Sequence, residues 1–261
     1  MHNPESISIL GSGWLGLPLA KHFAERGFSV KASTRSADRM SAIQATGAEG
    51  YLVDIDQASD WSGFLDAPIL IVNITSKNIE GFARLIHAIA KSPIEKLIFV
   101  SSTSVYPNTN TVVCEDEHAE NEQSPLFQIE TMFRNSTQFQ TTIIRFAGLF
   151  GYSRHPGRFF AERPIPQPDA PVNLIHRDDC INVIDGIIRQ NKWNEVFNAC
   201  AVTHPGKGEF YTHARSRMGL PPPVMGSSEQ TSFKIVSNEK IRRALGYEFI
   251  HADLMNCHFD D

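Results

Sequence analysis

The sequence predicts an α/β fold, a doubly wound parallel sheet with a small C-terminal part. Three observations carry that reading. Short apolar runs alternate with amphipathic stretches through the first half, as strand–helix–strand units with right-handed crossovers require. A turn containing Gly11, Gly13 and Gly16 stands between the first apolar run and the first amphipathic stretch. Past Gly151 the period stops, and residues 152–172 hold Pro156, Pro164, Pro166, Pro168 and Pro171.

Ile7, Ile9 and Leu10 suit a buried first strand, and residues 17–26 the helix behind it. Gly27 ends that helix, and residues 28–32 read as strand two. Residues 37–46 read as helix with Gly47 as the stop, residues 50–53 as strand three, and residues 58–65 as a helical stretch before Pro68. Residues 69–72, Ile-Leu-Ile-Val, are apolar throughout, as in a strand covered on both faces. Phe82, Leu85, Ile86 and Ile89 share one face of a helix over 79–90. Pro93 precedes strand five at 97–100. Residues 103–124 are polar, and the acidic cluster Glu115, Asp116, Glu117, Glu120 and Glu122 reads as a solvated loop. Pro125 opens a helix to residue 135, and residues 141–146 form strand six. The remainder gives a helix at 178–189, a short strand at 196–198 and a stiff Pro221-Pro222-Pro223 connector. A last helix, 238–245, is capped by Asn238 and stopped by Gly246. The expected domains are residues 1–151, with 173–200 returning to them, and a small substrate-binding part from 152–172 and 201–261.

A net charge of −5 argues against nucleic acid or an anionic membrane as the main partner. No apolar run approaches the roughly 20 residues of a membrane span. Residues 1–5 lack a signal peptide's basic start and apolar core, so the cytoplasm is the expected compartment. Cys114, Cys180, Cys200 and Cys257 are scattered, which suits reduced, mostly buried thiols and indicates no metal site.

The glycine spacing is G-x-G-x-x-G, and each glycine has a physical task. Gly11 permits the tight turn, Gly13 lets backbone approach a pyrophosphate, and Gly16 lets the helix lie close on the sheet. The helix N-terminus then offers N–H groups and partial positive charge to phosphates. Ser12, Trp14 and Leu15 complete this dinucleotide-binding loop. Ligands of such sheets bind beyond the carboxyl ends of the strands. At the second of these ends stands Arg35 between Thr34 and Ser36, where an acidic residue would grip ribose hydroxyls. A guanidinium with two hydroxyls suits a 2′-phosphate, so NADP is expected over NAD; the alternative is a surface arginine. Arg39, one helical turn on, is placed to assist. Asp54 and Ile55 either bracket the adenine or, for Asp54, cap a helix. Asn73 and Thr75 lie near the expected path of the cofactor ribose.

Further blocks complete a pattern: residues 99–106 (FVSSTSVY), 144–151 (IRFAGLFG), 173–179 (NLIHRDD), Phe197-Asn198 and 238–247 (NEKIRRALGY). Together with the glycines these resemble the extended short-chain dehydrogenase/reductases, the NAD-dependent epimerase/dehydratase group, and most closely an atypical branch with this glycine spacing. The resemblance implies that Ser102 is the catalytic hydroxyl, four residues before Tyr106, and that Arg145 lies beside the cofactor half of the cleft. It implies a small-molecule substrate, a nucleotide sugar or another carbonyl or hydroxyl compound, and pairing of two copies through helix 79–90 and the helix after Pro125. His176, on its own, reads as a packing histidine.

One departure bears on the chemistry. The group's general acid is a tyrosine with a lysine four residues later. One register puts Leu126 and Glu130 at those positions, another Glu122 and Leu126, and residues 107–140 contain neither a tyrosine nor a lysine. Tyr106 and Lys77 are candidate substitutes, although Tyr106 matches a residue kept for structure and Lys77 reads as a surface lysine. The expected function is therefore NADP-linked oxidoreductase or epimerase chemistry with a non-standard acid. The alternatives are a catalytically silent NADP-binding sensor or regulator, and an interaction module that keeps only the fold.

Overall fold

The computed structural model describes residues 5–57, 59–227 and 232–259. The expectations resting on residues 1–4 and on Ala58 lie outside the described residues. The chain runs β1 (Ser6–Leu10), α1 (Gly16–Glu25), β2 (Ser29–Thr34), α2 (Met40–Gln44), β3 (Glu49–Leu52), α3 (Ser62–Leu65), β4 (Ile69–Val72), α4 (Ile79–Ile89) and β5 (Lys96–Ser102). It continues through β6 (Val112–Val113), α5 (Pro125–Arg134), β7 (Gln140–Phe146), β8 (Gly148–Phe150), β9 (Leu174–His176) and α6 (Arg177–Arg189). Last come β10 (Val196–Ala199), α7 (Lys207–Arg217), β11 (Ile235–Val236) and α8 (Glu239–Leu245).

Seven strands form one sheet in the order β10-β7-β5-β4-β1-β2-β3. The ladders from β3 through β2, β1 and β4 to β5 are parallel, with Ile9 opposite both Ala32 and Ile71. Strand β4 is buried along its whole length, as its unbroken apolar run requires. The expected doubly wound α/β architecture is thus present, with a helix returning between successive strands.

The chain divides into two compact units. The first comprises Met1–Ser101, Glu122–Ile144 and Asn191–Val196; the second comprises Ser102–Asn121, Arg145–Gln190 and Phe197–Asp261. The second takes in residues 102–121, 145–151, 173–190 and 197–200 as well as the segments expected of a small C-terminal part. In the first, Phe82, Phe99 and Phe133 meet at centroid distances of 5.0–5.8 Å among buried Leu70, Leu85 and Ile143. The second has its own core around Phe150, Phe210 and Phe259. There Asp179, fully buried, accepts hydrogen bonds from the Tyr247 hydroxyl (2.6 Å) and from the Ile250 and His251 amides (2.7 and 3.1 Å). One carboxylate thereby anchors the last stretch of the chain.

Several local expectations change. The acidic cluster is not uniformly solvated: Glu115 is buried and accepts the Asn198 amide at 2.6 Å, and the Glu120 side chain is 6% exposed against Arg145. Those carboxylates find distant partners, so they leave water for charge-assisted hydrogen bonds. Asn238 does not cap α8 with its side chain; its amide donates to the Cys200 carbonyl at 2.7 Å, while Ser237 Oγ accepts from the Glu239 amide. Gly246 does end α8, with φ +59°. Helix α7 has no apolar stripe in its sequence, yet buries Phe210, Tyr211 and Ala214. Strands β6, β8, β9 and β11 form two small parallel pairs of two or three residues each, too short for a periodicity signal.

Candidate functional site

The β1–α1 turn in the first unit shows why glycine stands at each position. Gly11 has φ +100°, and a Cβ there would meet the Asn73 carbonyl oxygen at 2.4 Å. A Cβ on Gly16 would lie 1.9 Å from the Gly11 carbonyl oxygen. A Cβ on Gly13 would meet nothing within 4 Å. Two of the glycines are thus dictated by protein packing, and the third faces open space. The turn is held from below: Gly11 N–H donates to Ser33 Oγ (3.0 Å), Ser12 N–H to the Ser33 carbonyl (2.9 Å), and Asn73 Nδ2 to the Gly11 carbonyl (3.3 Å). Ser12, Leu15 and Gly16 are buried, Trp14 is half-buried and Gly13 is exposed. Helix α1 begins at Gly16 without a side-chain cap and without an acidic residue in its first turn. Its positive end is therefore not already neutralised by a carboxylate of its own.

The other strand-end residues of this unit follow the carboxyl ends of β2, β3 and β4. Thr34 is buried, and its Oγ1 accepts the Ser36 amide at 3.1 Å. Arg35 is exposed. Ser36 hydrogen-bonds Asp38, an acidic neighbour that the sequence reading did not single out. Arg39 donates to the Ser12 carbonyl at 3.2 Å, which brings a guanidinium onto the glycine turn itself. Asp54 Oδ1 accepts the Asp56 amide at 3.0 Å, and Ile55 is buried. Thr75 and Lys77 are exposed. On α5, Glu130 is fully buried and accepts a short hydrogen bond from Ser101 Oγ at 2.5 Å.

Ser102, Tyr106 and Arg145 belong to the second unit. Arg145 is fully buried; its Nη1 donates to the Tyr106 hydroxyl at 2.5 Å and to Glu120. The Tyr106 hydroxyl donates in turn to Asn198 Oδ1 at 3.1 Å. Burial pushes the Tyr106 phenol up to about 12, against the opposing pull of Arg145. Ser102 Oγ accepts the Ser104 amide at 3.1 Å and lines a cavity of about 660 Å³.

That cavity lies within the second unit. Arg163, Lys207 and Lys234 supply its charges, and its lining contains no aspartate or glutamate among the described residues. Phe160 and Tyr211 meet edge to face at a centroid distance of 4.7 Å, and Arg163 lies 5.1 Å from the Phe160 ring centre. Burial lowers the pKa of both lysines. The sequence reading missed these three cations, because no motif or period marks them.

His176 caps α6 by accepting the Asp178 amide at Nδ1 (3.2 Å) and stacks on His251 with centroids 3.6 Å apart. Asp178 Oδ2 lies 3.4 Å from His176 Nδ1 and 3.5 Å from His251 Nε2, and Tyr152 donates to its Oδ1 at 2.8 Å. Burial works to raise the Asp178 pKa, but its contacts with His176, His251 and Tyr152 outweigh it and hold the carboxyl well below the usual range. No helix among the described residues is long and apolar enough to cross a membrane.

Residues 11–179 match the family model described as NAD(P)H-binding. Protein YeeZ of Escherichia coli (strain K12) is 30% identical over 266 aligned positions, covering 95% of this chain and 97% of that protein. Among solved structures, a functionally unknown conserved protein from Silicibacter pomeroyi superposes with a TM-score of 0.80 at 19% identity, over 96% of this chain and 95% of that one. UDP-glucuronic acid 4-epimerase from Bacillus cereus, in complex with NAD, superposes with a TM-score of 0.77 at 16% identity, over 96% and 95%. The likeness to the epimerase/dehydratase group, carried in the sequence by scattered motifs, thus extends to the whole fold.

Proposed function

The chain belongs to the NAD(P)H-binding family, and from that premise we propose that it is an NADP-linked oxidoreductase or epimerase-like enzyme acting on a small carbonyl or hydroxyl compound. The observation that carries this reading is the contrast within the β1–α1 turn. Gly11 and Gly16 are required by the protein's own backbone, whereas a Cβ on Gly13 would fill only the space a pyrophosphate needs. The residues present fit the group. The backbone of 11–16 and the positive end of α1 hold the pyrophosphate, Arg35 with Thr34 and Ser36 holds a 2′-phosphate, and Asp54, Ile55, Asn73 and Thr75 border the adenosine and ribose. When bound, the nicotinamide supplies or accepts a hydride.

The second unit's cavity holds the substrate in this reading. Three cations and, among the described residues, no carboxylate on its wall suit an anionic molecule, and the paired Phe160 and Tyr211 rings suit one with a flat or ring-shaped portion. A nucleotide sugar meets both requirements. Ser102 orients the reacting oxygen. The cytoplasm is the compartment this reading assumes, and α4 with α5 is the surface on which two copies pair.

Arg35→Asp tests the choice of cofactor. Titration of the wild type is expected to show tighter binding of NADPH than NADH, and the variant is expected to reverse the order. An unchanged affinity ratio would place the 2′-phosphate elsewhere, with Arg39 the next residue to test.

A further inference from the structure

Residues 107–140, which include α5, supply neither the tyrosine nor the lysine of the related enzymes, so a proton reaches the substrate by another route in this reading. Of the titratable side chains on the second unit's cavity wall, arginine stays protonated at every working pH. Burial holds the Tyr211 phenol near 12, too high for exchange near neutrality. Lys207 stands at the start of α7, where its charge lies beside the helix N-terminus. Lys234 is held differently. Its Nζ donates to the Tyr106 carbonyl at 2.6 Å, which pins it to the loop that begins with Ser102. Its own carbonyl accepts Asn173 Nδ2 at 2.8 Å, and Asn173 Oδ1 accepts the Val236 amide at 2.8 Å, so the backbone on both sides is clamped. An amine on a fixed backbone, tied to one neutral carbonyl and sharing a cavity with Ser102, is built to exchange a proton.

We infer that Lys234 is the proton-transfer residue of this cavity, facing the reacting oxygen of an anionic carbonyl substrate whose charge Arg163 and Lys207 hold. The inference rests on the carbonyl chemistry proposed above. In the reducing direction one Nζ–H bond breaks as an O–H bond forms on the substrate, leaving a neutral amine that water reprotonates. The hydride for the carbon comes from the reduced nicotinamide dinucleotide. In the oxidising direction the neutral amine takes the hydroxyl proton. Burial lowers the Lys234 pKa, which brings both forms closer to working pH.

The test needs no known substrate. Pyridoxal 5′-phosphate is an anionic aldehyde that condenses with a neutral amine to give an imine and water, and borohydride fixes the adduct for peptide mass spectrometry. With limiting reagent, the full-length protein is expected to carry the label chiefly on Lys234. Lys207→Gln with Arg163→Gln is expected to lower that labelling roughly tenfold, equivalent to about 1.4 kcal/mol of anion binding. Measured over a pH series, Lys234 is expected to label with a lower midpoint than the exposed Lys21 and Lys91, because burial lowers its pKa. Lys234→Arg keeps a donor for the Tyr106 carbonyl, so its melting temperature is expected to match the wild type while the label disappears. Label spread over surface lysines in proportion to exposure, or a Lys234 midpoint equal to that of Lys21, overturns the inference. NADPH titration of the same sample keeps the two readings apart. Bound NADPH with an ordinary Lys234 removes only this inference; selective labelling without NADPH binding removes the dinucleotide and, with it, the redox role assigned to Lys234.

Discussion

Gly13→Ala is expected to leave the protein folded and to cost at least tenfold in NADPH affinity, whereas Gly16→Ala is expected to fail as a fold. The difference comes from what each new methyl would touch. At Gly13 it meets no protein atom within 4 Å, so the melting temperature and urea midpoint should stay near those of the wild type. The methyl instead enters space that a pyrophosphate must occupy to reach the backbone, and a loss of about 1.4 kcal/mol or more in binding follows. At Gly16 the methyl would sit 1.9 Å from the Gly11 carbonyl oxygen, so helix α1 must move away from the turn. Gly11 cannot yield, because its φ of +100° and the Asn73 carbonyl fix it in turn. Overpacking of this kind costs about 1–3 kcal/mol where side chains can shift, and more where the obstacle is backbone. Thermal melts and isothermal titration of both variants check the pair. Equal loss of stability in both would mean that Gly13 serves packing alone.

Arg145→Met is expected to destabilise the protein by about 3–5 kcal/mol. The guanidinium is fully buried and donates to the Tyr106 hydroxyl and to Glu120, whose side chain is itself 6% exposed. Methionine fills part of the volume but leaves the Glu120 carboxylate in the interior without its cation. The second variant, Arg145→Met with Glu120→Gln, is expected to recover part of the loss, because it removes the uncompensated charge. Urea denaturation measures both. A single variant within about 1 kcal/mol of the wild type would show that water reaches Glu120 when the arginine is gone. The phenol of Tyr106, raised to about 12 and shared between Arg145 and Asn198, belongs to the same network. That engagement is why proton transfer is assigned to Lys234 instead.

Legibility in the sequence followed the distance between interacting residues. The β1–turn–α1 unit could be read because its determinants lie within a few residues: an apolar run, three glycines and an amphipathic stretch. Strand β4 could be read because full burial on both faces leaves an unbroken apolar run. The roles of the acidic residues could not. Glu115 bonds to the amide of a residue 83 positions away and Glu120 to a side chain 25 positions away, and locally both look like solvated carboxylates. Lys234 is tied to a carbonyl 128 positions back, so nothing in its own neighbourhood marks it. Helix α7 packs Phe210, Tyr211 and Ala214 within one turn and carries charges before and after them, so no periodic stripe results. The motif blocks named the fold because they are short and ordered along the chain. They left the chemistry open at the place where this chain departs from them, the stretch 107–140 that holds neither a tyrosine nor a lysine.

The central claim is that the open face of the β1–α1 turn receives the pyrophosphate of a nicotinamide dinucleotide. Titration of ¹⁵N-labelled protein with NADPH tests it most directly, because affinity and location are read together. The account predicts saturable binding, with the largest amide shifts at Gly13, Trp14, Leu15 and Gly16 and further shifts at Thr34, Arg35 and Ser36. Absence of saturable binding of both NADPH and NADH, or binding that leaves the amides of 13–16 unmoved, would contradict it.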